Sequence, residues 1–160
     1  MKDPVNINKN GIDDEILVFL YRNILLFYER FLKAKGSGYS VRSKIFKKVK
    51  KEFELHWFVV DTIGAFKCAY TEKNLSEMKG NYFLFTSNRA QIPELFRHLR
   101  NSIAHGKFEK KKIQGRVFII FEDSYQKQST MCGQIELKKL EEFVSLLYKS
   151  KKIIKRKKKE

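Results

Sequence analysis

Cysteine, histidine and long apolar runs are scarce in this chain of 160 residues. Its two cysteines, Cys68 and Cys132, are far apart and form no C-x-x-C pair, which excludes a disulfide scaffold and is typical of reduced thiols in a cytoplasmic protein. No run approaches the roughly 18 consecutive apolar residues of a membrane span, so a membrane-spanning helix is not expected. Residues 1–10 lack the apolar segment of a secretory signal.

Positive charge is abundant. The chain has 34 Lys and Arg against 18 Asp and Glu, a formal net charge of +16. Residues 149–160 hold eight of the basic side chains and one acid, so the remaining body keeps +9. A basic body as well as a basic tail indicates a polyanionic partner, of which nucleic acid is the commonest. A charge that serves only solubility is the alternative.

The apolar periodicity predicts a mainly α fold, a bundle of four to five helices with a small β-hairpin insertion before the last helix. We expect a disordered leader at 1–12, a single domain at 13–150 and a basic C-terminal tail at 151–160. Helical spacing is found at about 13–35, 40–70, 91–105 and 137–148. Gly36-Ser37-Gly38 is interpreted as a linker and Leu75–Ser87 as a loop with an apolar anchor. A hairpin is expected around Gln114-Gly115, with a third strand at Thr130–Ile135.

One predicted helix combines a core-directed stripe with an unusual polar face. At about 100° per residue, its stripe comprises Ile92, Leu95, Phe96, Leu99 and Ile103. The opposite face carries Arg97, His98, Asn101 and His105, with Arg100 at its border. A solvated face whose basic residues complement the helix dipole is the plain interpretation. However, this face has no Lys in a Lys-rich chain. Arg matches phosphate oxygens, and His transfers protons near neutral pH.

The string from Arg100 to His105, Arg-Asn-Ser-Ile-Ala-His, resembles the R-x4-H motif of the HEPN superfamily, with Gly106 following the histidine. The chain's layout is also similar to that of small stand-alone bacterial members. The resemblance implies a metal-independent endoribonuclease that needs no cofactor and acts as a homodimer. Its products on single-stranded or loop RNA would be 2′,3′-cyclic phosphate and 5′-hydroxyl ends. The implied setting is a cytoplasmic toxin or an antiphage, abortive-infection effector restrained by an antitoxin or another regulatory partner.

Roles for individual residues follow from the same resemblance. His105 is expected to transfer the proton, and Arg100 to stabilise the charge on the phosphorane. Asn101 is expected to orient the imidazole or to bond the phosphate. Arg97, His98 and Lys107 are candidate substrate-binding residues.

Helix geometry adds one constraint. Arg100 and His105 are about 140° apart on an ideal helix, so a single helix converges them poorly on one phosphate. Two copies across a two-fold axis would bring their groups into one cleft.

Two other functions stay open. The first is a non-catalytic HEPN module that binds RNA or a partner protein, and the second is binding of the Lys-rich tail to a membrane surface. Metal sites are not expected. Glu109-Lys110-Lys111 lacks a strand-borne Asp partner, and Glu122-Asp123 is interpreted as a turn former. His98 and His105 are about 10 Å apart along the helix axis, too far to share a metal.

Overall fold

The computed structural model describes residues 11–33 and 38–151. The first helix, α1, is α-helical over Asp14–Leu20 and π-helical over Tyr21–Leu26 and Tyr28–Leu32. The other elements, in chain order, are α2 (Lys44–Glu52), β1 (His56–Val60), α3 (Ile63–Glu72), a 3₁₀ turn (Leu75–Glu77), β2 (Tyr82–Thr86), α4 (Gln91–Ala104), β3 (Phe108–Ile113), β4 (Arg116–Tyr125), β5 (Gln128–Glu136), a second 3₁₀ turn (Leu137–Lys139) and α5 (Leu140–Lys149).

The two expected terminal segments fall mostly outside the described residues. Of the leader at 1–12, only the last two residues are described, and Ile12 is 1% exposed within the core. Of the tail at 151–160, only Lys151 is described, and it forms an antiparallel bridge with Tyr39. Two residues of the expected linker, Gly36 and Ser37, also lie outside the described ranges.

The centre of the molecule is a five-stranded sheet in the order β1-β2-β5-β4-β3. Strands β1 and β2 are parallel, and the other neighbours are antiparallel. Helix α3 makes the crossover that a parallel pair requires. The expected mainly α bundle with a small hairpin insertion is therefore wrong, because the fold combines helices with a mixed sheet. The hairpin after Gly106 and the third strand are present, as β3, β4 and β5.

Strand β1 lies where the sequence predicts helix. Ser43 caps helix α2, because its hydroxyl accepts a hydrogen bond from the Phe46 N–H, and the helix ends before Glu54, which has a left-handed φ of 46°. The five residues of β1, His56–Val60, are aromatic or β-branched except for the histidine, a composition that suits a pleated surface. Thr62 then caps α3 by accepting from the Ala65 N–H. The segment at 40–70, expected to be one long helix or two helices with a break near Lys50, is thus two helices separated by a strand.

Strand β2 lies within the segment expected to be a loop. It has a parallel neighbour on one edge and an antiparallel neighbour on the other, and four of its five residues, Tyr82–Phe85, are buried. A strand covered on both faces has no alternation of polar and apolar residues. Its continuous apolar run therefore carries no periodic signal.

Different helices cover the two faces of the sheet. On one face α4 packs against β4, and α1 packs against the other side of α4. The core on this face includes Phe83, Phe85 and Phe121. On the other face α3 packs against β1, β2 and β5, around a smaller cluster with Phe66 and Leu84. In the described part of the chain, no helix combines the length and the hydropathy needed to cross a bilayer.

Candidate active site

Helix α4 ends at the residues that the sequence analysis singled out. Its buried stripe matches the predicted one, and His105 is its C-cap. Gly106 has a φ of 65°, a left-handed value that glycine adopts at little cost. The Lys107 N–H donates to the Ser102 carbonyl at 2.8 Å, which closes the helix end before the chain enters β3. Backbone geometry on both sides therefore fixes where His105 lies.

Arg100 is held by two partners. Its Nε donates to Glu29 Oε1 on α1 at 2.6 Å, and its Nη1 donates to Asn101 Oδ1 at 3.0 Å. The Arg100 and Glu29 side chains are 32% and 30% exposed, so the ion pair is at the surface. A guanidinium has five N–H groups, and two of them are used here. The remaining donors can bind phosphate oxygens.

Asn101 connects Arg100 to a buried polar group. Its Nδ2 donates to Asp123 Oδ2 on β4 at 3.2 Å. The same carboxylate oxygen lies 2.8 Å from His98 Nδ1, and His98 Nε2 lies 2.8 Å from the Thr86 carbonyl on β2. Both ring nitrogens of His98 thus lie within hydrogen-bond distance of an oxygen, and Nε2 also lies 3.4 Å from Arg97 Nη2. A continuous chain of hydrogen bonds thus joins α1 to strands β4 and β2 through Arg100, Asn101 and His98.

Burial and hydrogen bonding act in opposite directions on Asp123. Burial favours the neutral acid and raises the pKa of Asp123. The hydrogen bonds from His98 and Asn101 and the charge of His98 lower this pKa, and their combined effect is larger than that of burial. The net effect is a lowered pKa, so Asp123 is a carboxylate at neutral pH. Its Oδ1 accepts a third bond, from the Ser124 N–H at 2.9 Å. The acceptor to which Asn101 is bound is therefore charged and fixed.

The side chain of His105 is exposed, and no hydrogen bond joins its ring to any described residue. Its backbone N–H donates to the Asn101 carbonyl at 3.0 Å. Of the other predicted residues, Arg97 pairs with Glu94 at 3.0 Å, and Lys107 Nζ donates to the Ser124 hydroxyl at 2.6 Å. Arg97 lies along the surface of α4, and Lys107 lies at the surface just beyond its end.

His98 lies where the sequence analysis does not place it. It was expected on the polar face as a substrate contact, but it is 1% exposed and its ring is bonded on both sides. The physical reason is that α1 and the sheet cover α4 from two sides, so the buried arc is wider than the apolar stripe. This geometry does not support direct contact between His98 and a substrate. It supports a role in fixing Asp123.

Sequence reasoning missed three residues that surround the motif: Glu29, Asp123 and Tyr28. Asp123 had a signal as an acid near the end of a strand, and the sequence analysis assigned it to a turn. Tyr28 is close to both arginines: burial raises its pKa, Arg97 and Arg100 lower it, and Glu94 and Glu29 raise it. The net effect is a raised pKa, which keeps the hydroxyl neutral at pH 7.

The residues that were weighed as metal ligands do not converge. Within residues 11–33 and 38–151, no three side chains of His, Cys, Asp or Glu are grouped as a metal site would require. Asp123 is directed toward α4, whereas the neighbouring Glu122 lines a groove on the other face of the sheet.

A family model described as HEPN pEK499 p136 matches residues 10–160. No curated protein and no solved structure matches the chain.

Proposed function

This chain belongs to the HEPN pEK499 p136 family, and from that premise we propose that it is a metal-independent endoribonuclease acting on single-stranded or loop RNA. HEPN domains are often ribonucleases. The observation that carries the proposal is the arrangement at the end of α4. Arg100 and Asn101 are held by a hydrogen-bonded chain, and the ring of His105 is exposed beside them.

The proposed reaction is an internal transesterification. His105 accepts the proton of a ribose 2′-hydroxyl, and the 2′-oxygen attacks the adjacent phosphorus. The bond from phosphorus to the 5′-oxygen breaks, and that oxygen takes up the proton that His105 accepted. The products are a 2′,3′-cyclic phosphate and a 5′-hydroxyl. Arg100 stabilises the additional negative charge on the phosphorane through its remaining N–H groups. DNA has no 2′-hydroxyl and does not react by this route.

The chain of hydrogen bonds behind the motif supports a positioning role for Asn101. With its amide nitrogen bonded to Asp123, its oxygen is directed at Arg100. Asn101 therefore limits the orientations that the guanidinium can adopt. In the absence of RNA, Glu29 neutralises Arg100, and a substrate phosphate would compete with this carboxylate.

A homodimer completes the site in this proposal, because Arg100 and His105 leave the helix in different directions. Four of the five most exposed large apolar side chains among the described residues lie on α1: Val18, Tyr21, Leu26 and Phe31. The same helix carries Glu29, the partner of Arg100. Pairing of two α1 helices would cover these side chains and bring two motifs to one cleft.

The deciding experiment is RNA cleavage in EDTA, with the ends of the products mapped. We expect cyclic phosphate ends from the wild type and no cleavage by His105→Ala or Arg100→Ala. His56→Ala and Arg42→Ala are matched controls, because both residues are exposed and lie away from α4. Cleavage that persists in His105→Ala, or that requires a divalent ion, would contradict the proposed mechanism.

The biological setting that we propose is a toxin or antiphage effector. Expression of the wild type in a bacterial host should then slow growth, and His105→Ala should restore it. Equal growth with equal amounts of both proteins would contradict this setting.

A non-catalytic module is the second candidate, and the ion pair between Glu29 and Arg100 favours it, because it occupies the arginine. In that case the wild type should bind RNA without cutting it, and Arg100→Ala should change only the binding.

A further inference from the structure

The face of the sheet opposite α4 is only partly covered. Helix α3 packs on β1, β2 and β5, and it leaves β3 and β4 open on this side. A groove of 730 Å³ runs between α3 and these strands. A second groove of 470 Å³ continues from β4 toward Gly106 and Lys107. The two grooves share five lining residues, so they form one channel: Glu109, Ile120, Glu122, Lys127 and Ser129.

This channel begins next to the motif. Gly106 and Lys107, which line its near end, directly follow His105 in the chain. The far end of the channel lies against α3. Each groove has the volume of a site for a small ligand, about 300–1,000 Å³. Together they form a path that leads away from the proposed reaction centre.

The charges of the channel suit a polyanion. Four lysines line it, Lys67, Lys107, Lys111 and Lys127, against three carboxylates, Glu109, Glu122 and Asp123, of which Asp123 is buried and bonded to His98 and Asn101. Lys67, Lys111 and Lys127 are exposed, and none of them forms an ion pair with a described residue. The four lysines come from different parts of the chain: from α3, from the residue after Gly106, from β3 and from the turn between β4 and β5. Their spread along the channel matches a chain of phosphates better than a single anion.

Aromatic rings line the far end. Tyr70 on α3 is partly exposed in the groove, and the buried Tyr82 lies beneath it on β2. Burial raises the pKa of Tyr82 well above its ordinary value, so this floor carries no negative charge at neutral pH. An accessible aromatic ring beside lysines is the combination on which bases of a single strand stack while their phosphates are neutralised.

We infer that this channel binds the single-stranded RNA that flanks the cleaved phosphate, with its lysines on the phosphates and Tyr70 stacked on a base. The inference rests on the proposed function, since it places substrate at His105. It extends substrate binding along the face of the sheet away from α4, beyond Lys107, the channel residue that the sequence analysis names as a candidate.

The test is binding of a fluorescent 2′-O-methyl oligonucleotide, which cannot be cut through its 2′-oxygen, followed by anisotropy over a range of salt concentrations. Lys111→Gln with Lys127→Gln removes two cations from the channel. The slope of log K against log salt should fall by about 1.4, since each phosphate contact on a single strand contributes about 0.7. Lys110→Gln with Lys112→Gln is the matched control, because these lysines lie on the opposite face of β3.

Stacking is tested separately at Tyr70. Tyr70→Ala should weaken binding at least about fivefold, and Tyr70→Phe should restore it, because the ring is what stacks. Circular dichroism of both variants checks that the fold is intact.

The outcomes separate this inference from the proposed function. If the control pair lowers the slope as much as the channel pair, or if the oligonucleotide does not bind, the channel is refuted. If the channel variants lose binding while the wild type cuts no RNA, the channel stands and the ribonuclease is refuted. If the wild type cuts RNA and the channel variants bind and cut it normally, the ribonuclease stands and the channel is refuted.

Discussion

Replacing Asp123 by Asn is the sharpest test of the polar chain behind the motif. The carboxylate accepts three hydrogen bonds, two at Oδ2 from His98 and Asn101 and one at Oδ1 from the Ser124 N–H. An amide has one oxygen, so in either orientation its NH₂ group faces a donor. The substitution also removes the negative charge opposite His98.

The expected cost follows from these contacts. A hydrogen bond to a charged group contributes about 1.5–3 kcal/mol, and the variant loses at least one while weakening another. We therefore expect Asp123→Asn to lower the free energy of unfolding by about 2–3 kcal/mol at pH 7. A domain of this size has about 5–15 kcal/mol in total, so the variant still folds.

Urea unfolding measures this loss. Glu122→Gln is the control, because it makes the same change of charge at the neighbouring exposed residue, and it should cost less than about 0.5 kcal/mol. The direction in which the stability difference changes with pH also follows from the structure. Because the pKa of Asp123 is lowered by folding, its contribution is present above the unfolded value of about 3.9 and is lost as the pH falls through the folded value. The difference between wild type and variant should therefore shrink as the pH falls below about 4. Equal stability of the two variants at pH 7, or a difference that does not depend on pH, would refute the argument.

Three further substitutions test separate parts of the structure. Gly133→Ala should destabilise the protein by about 1–3 kcal/mol or more in thermal unfolding, because a Cβ there would overlap the buried ring of Phe83; normal stability would contradict this packing. Gly106→Ala should cost about 1–2 kcal/mol in urea, since its φ of 65° is left-handed although the surrounding space is open. Glu29→Gln should cost at most about 1 kcal/mol, because its ion pair is at the surface, and it should tighten RNA binding by freeing Arg100. Weaker binding in an anisotropy assay would instead make Glu29 a positioning residue.

The helix that carries the motif could be predicted from the sequence because its signals are local. Its stripe repeats with helical spacing over four turns, and Gly106 marks its end. The hairpin after it was also predictable, from alternating residues around Gln114-Gly115. These elements contain the whole of the R-x4-H string, so the motif could be placed on a helix end without a structure.

The sheet could not be predicted because two of its strands lack local signals. His56–Val60 is a run of five residues that fits a buried helix turn as well as a strand. Tyr82–Thr86 is covered on both faces, which removes the alternation that identifies a strand. The prediction of a mainly α fold was wrong because these two short runs are strands.

The partners of the motif depend on tertiary structure. Glu29 precedes Arg100 by 71 residues, and Asp123 follows Asn101 by 22. No sequence spacing brings such residues together. The burial of His98 has the same origin, since an ideal helix shows which residues share a face but not how many neighbours cover it.

The short connection between α4 and β3 has a consequence for the engineering of this protein. From Phe108, just beyond His105, β3 runs outward to Ile113, a distance of about 17 Å, before the chain turns back at Gln114 and Gly115. The tip of this hairpin is thus the point on β3 and β4 most distant along the strands from the histidine. A peptide tag inserted between Gln114 and Gly115 would leave the strand pairing and the end of α4 unchanged, so the protein could be followed in a living cell with the candidate site unperturbed.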